Sequence, residues 1–190
     1  MESLPFAARS FGAVVSQFGY EYSHTAQTAR EIDRVLAPGA KLSFVIHHAE
    51  SAIVLATRAR LNAIRAFLAP PLRATASSGD VAACKAQIAT LLARFPEDVL
   101  IAELARAVSS RLGGPRTNWP AIWTIFEEAL APERRVAESL DESCVARTQI
   151  DEWLEPLRDA CELLPAAVLR EANGDPVGWT IAGGGRRAAV

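Results

Sequence analysis

The rhythm of apolar and polar positions changes twice along the chain. Up to residue 50, short apolar runs are separated by a polar, periodic stretch. Ala13-Val14-Val15-Ser16 is an apolar run with two β-branched residues, the pattern of a strand buried on both faces. Ser23 is placed to cap a helix in which Ala29, Ile32 and Leu36 recur at helical spacing. Pro38-Gly39 marks the end of that helix, and Leu42-Ser43-Phe44-Val45-Ile46 follows as a second buried-type strand. Strand, helix, turn and strand make a βαβ unit with parallel strands.

From residue 51 to 165 the pattern is helical. Ser51 to Leu68 carries a stripe of Leu61, Ile64, Phe67 and Leu68. Asp80 precedes Val81, Cys84, Ile88, Leu91, Leu92 and Phe95. Pro96 separates these from Leu100, Leu104, Ala107 and Val108, and Gly113-Gly114 closes that helix. Asn118 is a cap for Ile122, Trp123, Phe126 and Leu130, with an interruption expected at Pro132. A last stripe runs through Ile150, Trp153, Leu154, Leu157, Cys161 and Leu164, with a kink or boundary expected at Pro156. Beyond it, Ala167-Val168-Leu169-Arg170 and Val177-Gly178-Trp179-Thr180-Ile181 flank Asn173-Gly174, which predicts a β-hairpin. Residues 183–190 read as a frayed tail. The chain thus divides into an α/β segment (1–50), a helical insert or lid (51–165), and a hairpin that completes the sheet (166–190).

Composition changes this picture little. Half of the 190 residues are hydrophobic, 22% are charged, and the net charge is −2. That balance is globular and lacks the basic excess of a nucleic-acid groove. The Arg134-Arg135 and Arg186-Arg187 pairs read as solvated surface. Cys84, Cys144 and Cys161 are odd in number and none stands at metal-ligand spacing, so no metal site is expected. The residues after Met1 have neither a basic leader nor an apolar core, and the stretch from Leu42 to Ala56 is too short and polar to span a bilayer. A cytoplasmic protein is expected.

Two stretches carry a family resemblance. Leu4-Pro5-Phe6 leads into Ser10-Phe11-Gly12-Ala13-Val14-Val15-Ser16-Gln17-Phe18. Glu31-Ile32-Asp33-Arg34-Val35-Leu36-Ala37-Pro38-Gly39-Ala40-Lys41-Leu42 begins about 20 residues later. The first is similar to the LPF loop and fourth strand of class I S-adenosylmethionine (SAM)-dependent methyltransferases of the type 11-like group. The second is similar to their RVLKPGG turn before the fifth strand. The resemblance implies an α/β fold: a partial Rossmann-like sheet, βαβ plus C-terminal hairpin, with a large helical insert. It also implies SAM as cofactor and methyl transfer to an acceptor that the sequence does not name.

The departures from the family are specific. The G-x-G-x-G turn that admits SAM to the backbone is absent from the sequence, and Gly183-Gly184-Gly185 stands at the opposite end of the chain. The acidic residue of the family's second strand is missing too. Glu2 lies near the position of the acid before the LPF loop, and Gly12 replaces the aspartate before the fourth strand. The chain therefore reads as the C-terminal, truncated part of such an enzyme. A non-catalytic remnant serving as an interaction or dimerisation module is the alternative, and a helical binding domain with an incidental βαβ start is a third. In the family the first strand here pairs with one from the missing half, so its edge is expected to be covered by another chain (a second copy among them), by the helical insert, or by aggregation.

Ligands of open α/β sheets sit outside the carboxyl ends of the strands. By resemblance, Ser16, Gln17 and Phe18 are cofactor-binding candidates at the end of the first strand. Tyr20, Tyr22 and His24 are candidates for a substrate wall. His47 and His48 close the second strand and are the candidate catalytic bases for a hydroxyl or amine acceptor, with Glu21 or Glu50 to orient them. Each also has a plain structural alternative: strand termination for Ser16 and Gln17, packing for the loop aromatics, and a chain-end hydrogen bond for one histidine. Adjacent strand residues point to opposite faces, so the two histidines cannot share a role.

Overall fold

The computed structural model describes residues 3–114 and 117–185. Glu2 and the Arg186-Arg187 pair lie outside the described residues. The chain separates into two compact units: the described residues up to Ala56 together with those from Ser139 onward, and Thr57–Glu138.

The first unit is a mixed sheet. Its strands are β1 (Phe11–Gln17), β2 (Leu36–His47), β3 (Cys161–Leu163), β4 (Ala167–Arg170) and β5 (Pro176–Gly185). The order is β1-β2-β5-β3, with β4 also on β5. β1 and β2 are parallel, and helix α1 (Thr25–Val35) connects them, as the sequence pattern requires. The hairpin folds back so that β5 lies antiparallel to β2, with Ile46 opposite Trp179 and Leu42 opposite Gly183.

One face of this sheet is covered. Leu42, Phe44 and Ile46 of β2 join Ile32 of α1, Trp179 and Ile181 of β5, and Ile150, Leu154 and Leu157 in one buried cluster. The opposite face differs from expectation. Val15 is 75% exposed, and its partner Ser43 is exposed as well, so neither strand is buried on both sides. Among the described residues β1 pairs only with β2, which leaves its outer edge open.

Three local readings are corrected. His24, not Ser23, occupies the N-cap of α1; the Ser23 hydroxyl donates to the Tyr20 carbonyl instead. Pro38-Gly39 does not separate helix from strand, because β2 begins directly at Leu36. Phe11 pairs with Leu36 and Ala13 with Lys41, so residues 37–40 bulge opposite Gly12. Pro38 has no N–H to give the ladder and Gly39 takes a φ of +74°, which suits a bulge. Residues 183–185 are the end of β5 and not a tail; Gly183 and Gly184 pair with β2 on one side and all three pair with β3 on the other, while residues 186–190 lie outside the described residues.

The last stripe also breaks earlier than its periodicity suggests. Pro156 lies in the first turn of α8 (Glu155–Ala160), separated from α7 (Ile150–Trp153) by Leu154. Cys161 then starts β3, and Leu164 is 63% exposed. Because Ile150, Leu154 and Leu157 pack on the sheet, residues 139–165 group with the α/β unit and not with the helices before them.

The second unit is helical. The unit boundaries fall inside α2 (Ala52–Leu68) and α6 (Trp119–Ser143), and α3 (Pro70–Ser78), α4 (Val81–Arg94) and α5 (Val99–Ser109) lie between them. Asp80 and Asp98 cap α4 and α5 by accepting the backbone N–H of Ala83 and Ile101, and Asn118 accepts that of Ala121. Ile64, Phe67, Cys84, Ile88, Ile101, Val108 and Trp123 form its core. The buried stripe of α5 is Ile101, Ala105 and Val108, one position on from Leu100 and Leu104. Helix α6 continues through Pro132, with Leu130 and Ala137 buried on either side of it; that burial offsets the lost backbone bond.

Candidate functional site

The loop after β1 turns sharply. Phe18 takes a left-handed φ of +52° while its N–H donates to the Val45 carbonyl at 2.8 Å. This holds the Phe18 ring 4.4 Å from the ring of His47 at the end of β2. A single 3₁₀ turn, Tyr20–Tyr22, then carries Glu21 beneath His47. Glu21 Oε1 lies 2.8 Å from His47 Nδ1 and accepts the His47 backbone N–H at 3.1 Å. Tyr22 stands edge-on to the same imidazole at 6.1 Å. Its hydroxyl pKa is raised, first by burial and then by the negative charges of Glu21 and Cys144.

A carboxylate oxygen only accepts, so the ring nitrogen facing Glu21 carries the proton. The neutral ring then presents an unprotonated Nε2, for which the described residues supply no hydrogen-bond partner. The His47 side chain is 10% exposed and that of Glu21 is sealed at 0%. Glu21 Oε2 is buried with no partner. An oriented imidazole above a fully buried carboxylate can take a proton from a bound hydroxyl or amine.

The structure thus brings together Phe18, Tyr22 and His47 of the residues singled out above, with Glu21, and not Glu50, against the His47 ring. The others go elsewhere. Tyr20 is fully buried against Phe44 and Trp153 and donates its hydroxyl to the Thr25 carbonyl, so it is core and not a wall. His24 is exposed at the start of α1. Ser16 is half-buried and Gln17 exposed at the end of β1. His48 points away from His47. It stacks on Trp179 at 4.9 Å and its Nδ1 accepts the Glu50 N–H at 3.1 Å. Burial first, and the nearby Arg170 and Arg147 after it, lower its pKa against the raising influence of Glu50.

The described residues contain no cluster of three His, Cys, Asp or Glu side chains suited to a metal, and no disulfide. No helix among them is long and apolar enough to cross a membrane. Among the described residues there is no glycine-rich turn of the kind that cradles SAM in the family. The glycine-rich turn is absent from the sequence, and the three consecutive glycines serve another purpose. A Cβ on Gly183 would lie 2.4 Å from the Glu162 carbonyl oxygen, and one on Gly184 2.6 Å from that of Ala40. These glycines let strands pack closely and leave no gap for a ligand.

Comparison with known proteins agrees with the first part of the fold. The family model described as a methyltransferase domain matches residues 1–44. Among solved structures, the YcgJ protein from Bacillus subtilis is similar at 17% identity, over 98% of this chain and 69% of that one, with a TM-score of 0.30. No curated protein matches the chain. The matched segment contains both motifs and the parallel β1-α1-β2 unit that they build. The likeness to a methyltransferase domain thus covers the start of the α/β unit, which is a mixed sheet with helices.

Proposed function

We propose that the chain provides the acceptor side of a SAM-dependent methyltransferase site. The observation that carries this reading is the Glu21–His47 pair, with Glu21 inside the segment that matches a methyltransferase domain and His47 just after it at the carboxyl end of β2. The methyl donor supplies an electrophilic carbon. The chain's residues do the rest on the acceptor: Phe18 and Tyr22 flank it, and His47 Nε2 takes the proton from a hydroxyl or amine as that group becomes nucleophilic. Glu21 holds the ring in the required tautomer and balances the charge that His47 gains. The acceptor is an unidentified small molecule or other methylatable group.

The donor's cradle is contributed by a segment or chain that pairs with the open edge of β1. That edge also favours a second reading, a methyltransferase-fold module that binds a partner or a second copy without catalysis. Calorimetric titration with S-adenosylhomocysteine separates the two. The protein isolated as its native assembly should bind it, and lose binding when that assembly is dissociated. An assembly that does not bind it leaves only the module reading.

A further inference from the structure

The hairpin side of the α/β unit holds an open concavity of about 710 Å³. Its floor is apolar: Leu163, Ala166, Val168 and the Trp179 ring line it. Its rim carries three arginines, Arg147 from the loop before α7, Arg158 from α8 and Arg170 from the end of β4. The single acid in the lining, Asp151, is already held by Arg158, through its carboxylate at 2.6 Å and its carbonyl at 3.1 Å. Arg170 donates to the Gly174 carbonyl at 2.7 Å, and neither it nor Arg147 has a carboxylate partner among the described residues.

Two guanidinium groups without a carboxylate partner of their own therefore line one hollow with an apolar floor and a polar rim. Both bear on the same buried group, the His48 ring stacked on Trp179, which places their charges on one side of the unit. The Trp179 indole is fixed by its Nε1–H bond to the Val145 carbonyl at 2.9 Å, so the floor is rigid. On the helical unit Arg60 pairs with Asp98 and Glu133, Arg65 with Glu138, and Arg73 with Glu127, whereas Arg111 and Arg135 donate to the backbone carbonyls of Ala107 and Ala131. An apolar concavity with a few convergent polar groups is the usual form of a small-molecule site. Guanidinium is the group best matched to a carboxylate or phosphate.

We infer that this hollow binds an oxyanion joined to an apolar body, with Arg147 and Arg170 on the anion and Trp179, Val168 and Leu163 against the body. The inference is independent of methyl transfer, and its test needs no methyl donor. Phenyl phosphate and phenylacetate serve as probes, with inorganic phosphate and benzyl alcohol as the head and body alone. Binding is followed by calorimetry and by the Trp179 indole N–H resonance. Both full probes should bind, shift that resonance, and bind at least about tenfold more tightly than either part alone. Whichever probe binds more tightly identifies the anion as phosphate or carboxylate. Arg147→Gln and Arg170→Gln should each weaken binding about tenfold, and added salt should weaken it further. Arg73→Gln, on the helical unit, should leave it unchanged. Benzyl alcohol binding as tightly as the full probes, an unmoved Trp179 resonance, or full affinity in the Arg147→Gln, Arg170→Gln double variant would overturn the inference.

Discussion

Glu21 Oε1 accepts two hydrogen bonds from His47, one from the ring at 2.8 Å and one from the backbone at 3.1 Å. One side chain thus fixes both the end of β2 and the tautomer of the imidazole. Glu21→Ala strips two buried donors of their acceptor. It should cost about 1–3 kcal/mol in chemical denaturation, the usual penalty for leaving buried donors unmet. Glu21→Gln keeps an acceptor and should lose less. Nitrogen NMR of the His47 ring should show the Nδ1–H form in the native protein and a mixture with Nε2–H in Glu21→Ala. A native ring found with its proton on Nε2 would remove the proton-accepting role given to it.

His48 has its pKa lowered from 6.5, chiefly by burial, so the folded state favours the neutral ring. The unfolded chain binds a proton at a higher pH than the folded one. This contribution to stability is fully present above about 6.5, and it is lost as pH falls through that value toward the folded pKa. His48→Phe keeps an aromatic ring against Trp179 but cannot titrate. Its stability should fall less steeply than that of the native chain between pH 7 and pH 5, as measured by urea midpoints across that range. Parallel profiles would mean that His48 does not sense acid.

The order of elements was legible because it rests on periodicity and punctuation. The β-branched run 13–16, the stripe through Ile32, and Asn173-Gly174 each point to one structure, and each forms it. What was hidden depends on partners distant in sequence. Glu21 could be named only alongside Glu50, since it reaches His47 across 26 residues. The only hint was the need for something to orient a histidine at a strand end. Tyr20 and Tyr22 look alike in sequence, yet the 3₁₀ turn sends one into the core and the other beside His47. Helix α3 begins with Pro70-Pro71, which is good helix-start chemistry but reads as a break when scanned for periodicity.

Residues 183–185 were misread as a tail for the same reason, and the glycines of β5 give a sharp test. A Cβ at Gly183 would meet the Glu162 carbonyl oxygen at 2.4 Å, and one at Gly178 the Ile46 carbonyl oxygen at 2.5 Å. Both obstacles are backbone in a paired strand and cannot swing aside. Gly183→Ala and Gly178→Ala should each destabilise the α/β unit by about 1–3 kcal/mol, the range for overpacking. Gly12→Ala, where nothing lies within 4 Å, should change stability by no more than about 0.5 kcal/mol. If all three behaved alike in thermal unfolding, the close packing of β5 between β2 and β3 would be wrong.

The two motifs that carry the family resemblance also touch. Arg34 donates to the carbonyls of Phe6 at 2.8 Å and Leu4 at 3.0 Å, and Glu31 accepts the Leu4 N–H at 3.0 Å. The Arg34 guanidinium first, and the Leu4 N–H second, hold the Glu31 carboxyl at about 2 against an ordinary 4.5. The loop at Leu4–Phe6 is therefore clamped to α1 by the ion pair of the second motif. Because the folded pKa is depressed, the clamp is intact above pH 4.5 and is lost as pH falls toward 2. Amide exchange at Leu4 reports it directly. Protection should be present at neutral pH, fall in Glu31→Gln, and fall further in Arg34→Ala, while the amides of β2 keep theirs. Unaltered Leu4 protection in Arg34→Ala would show that the loop is held by something other than this clamp.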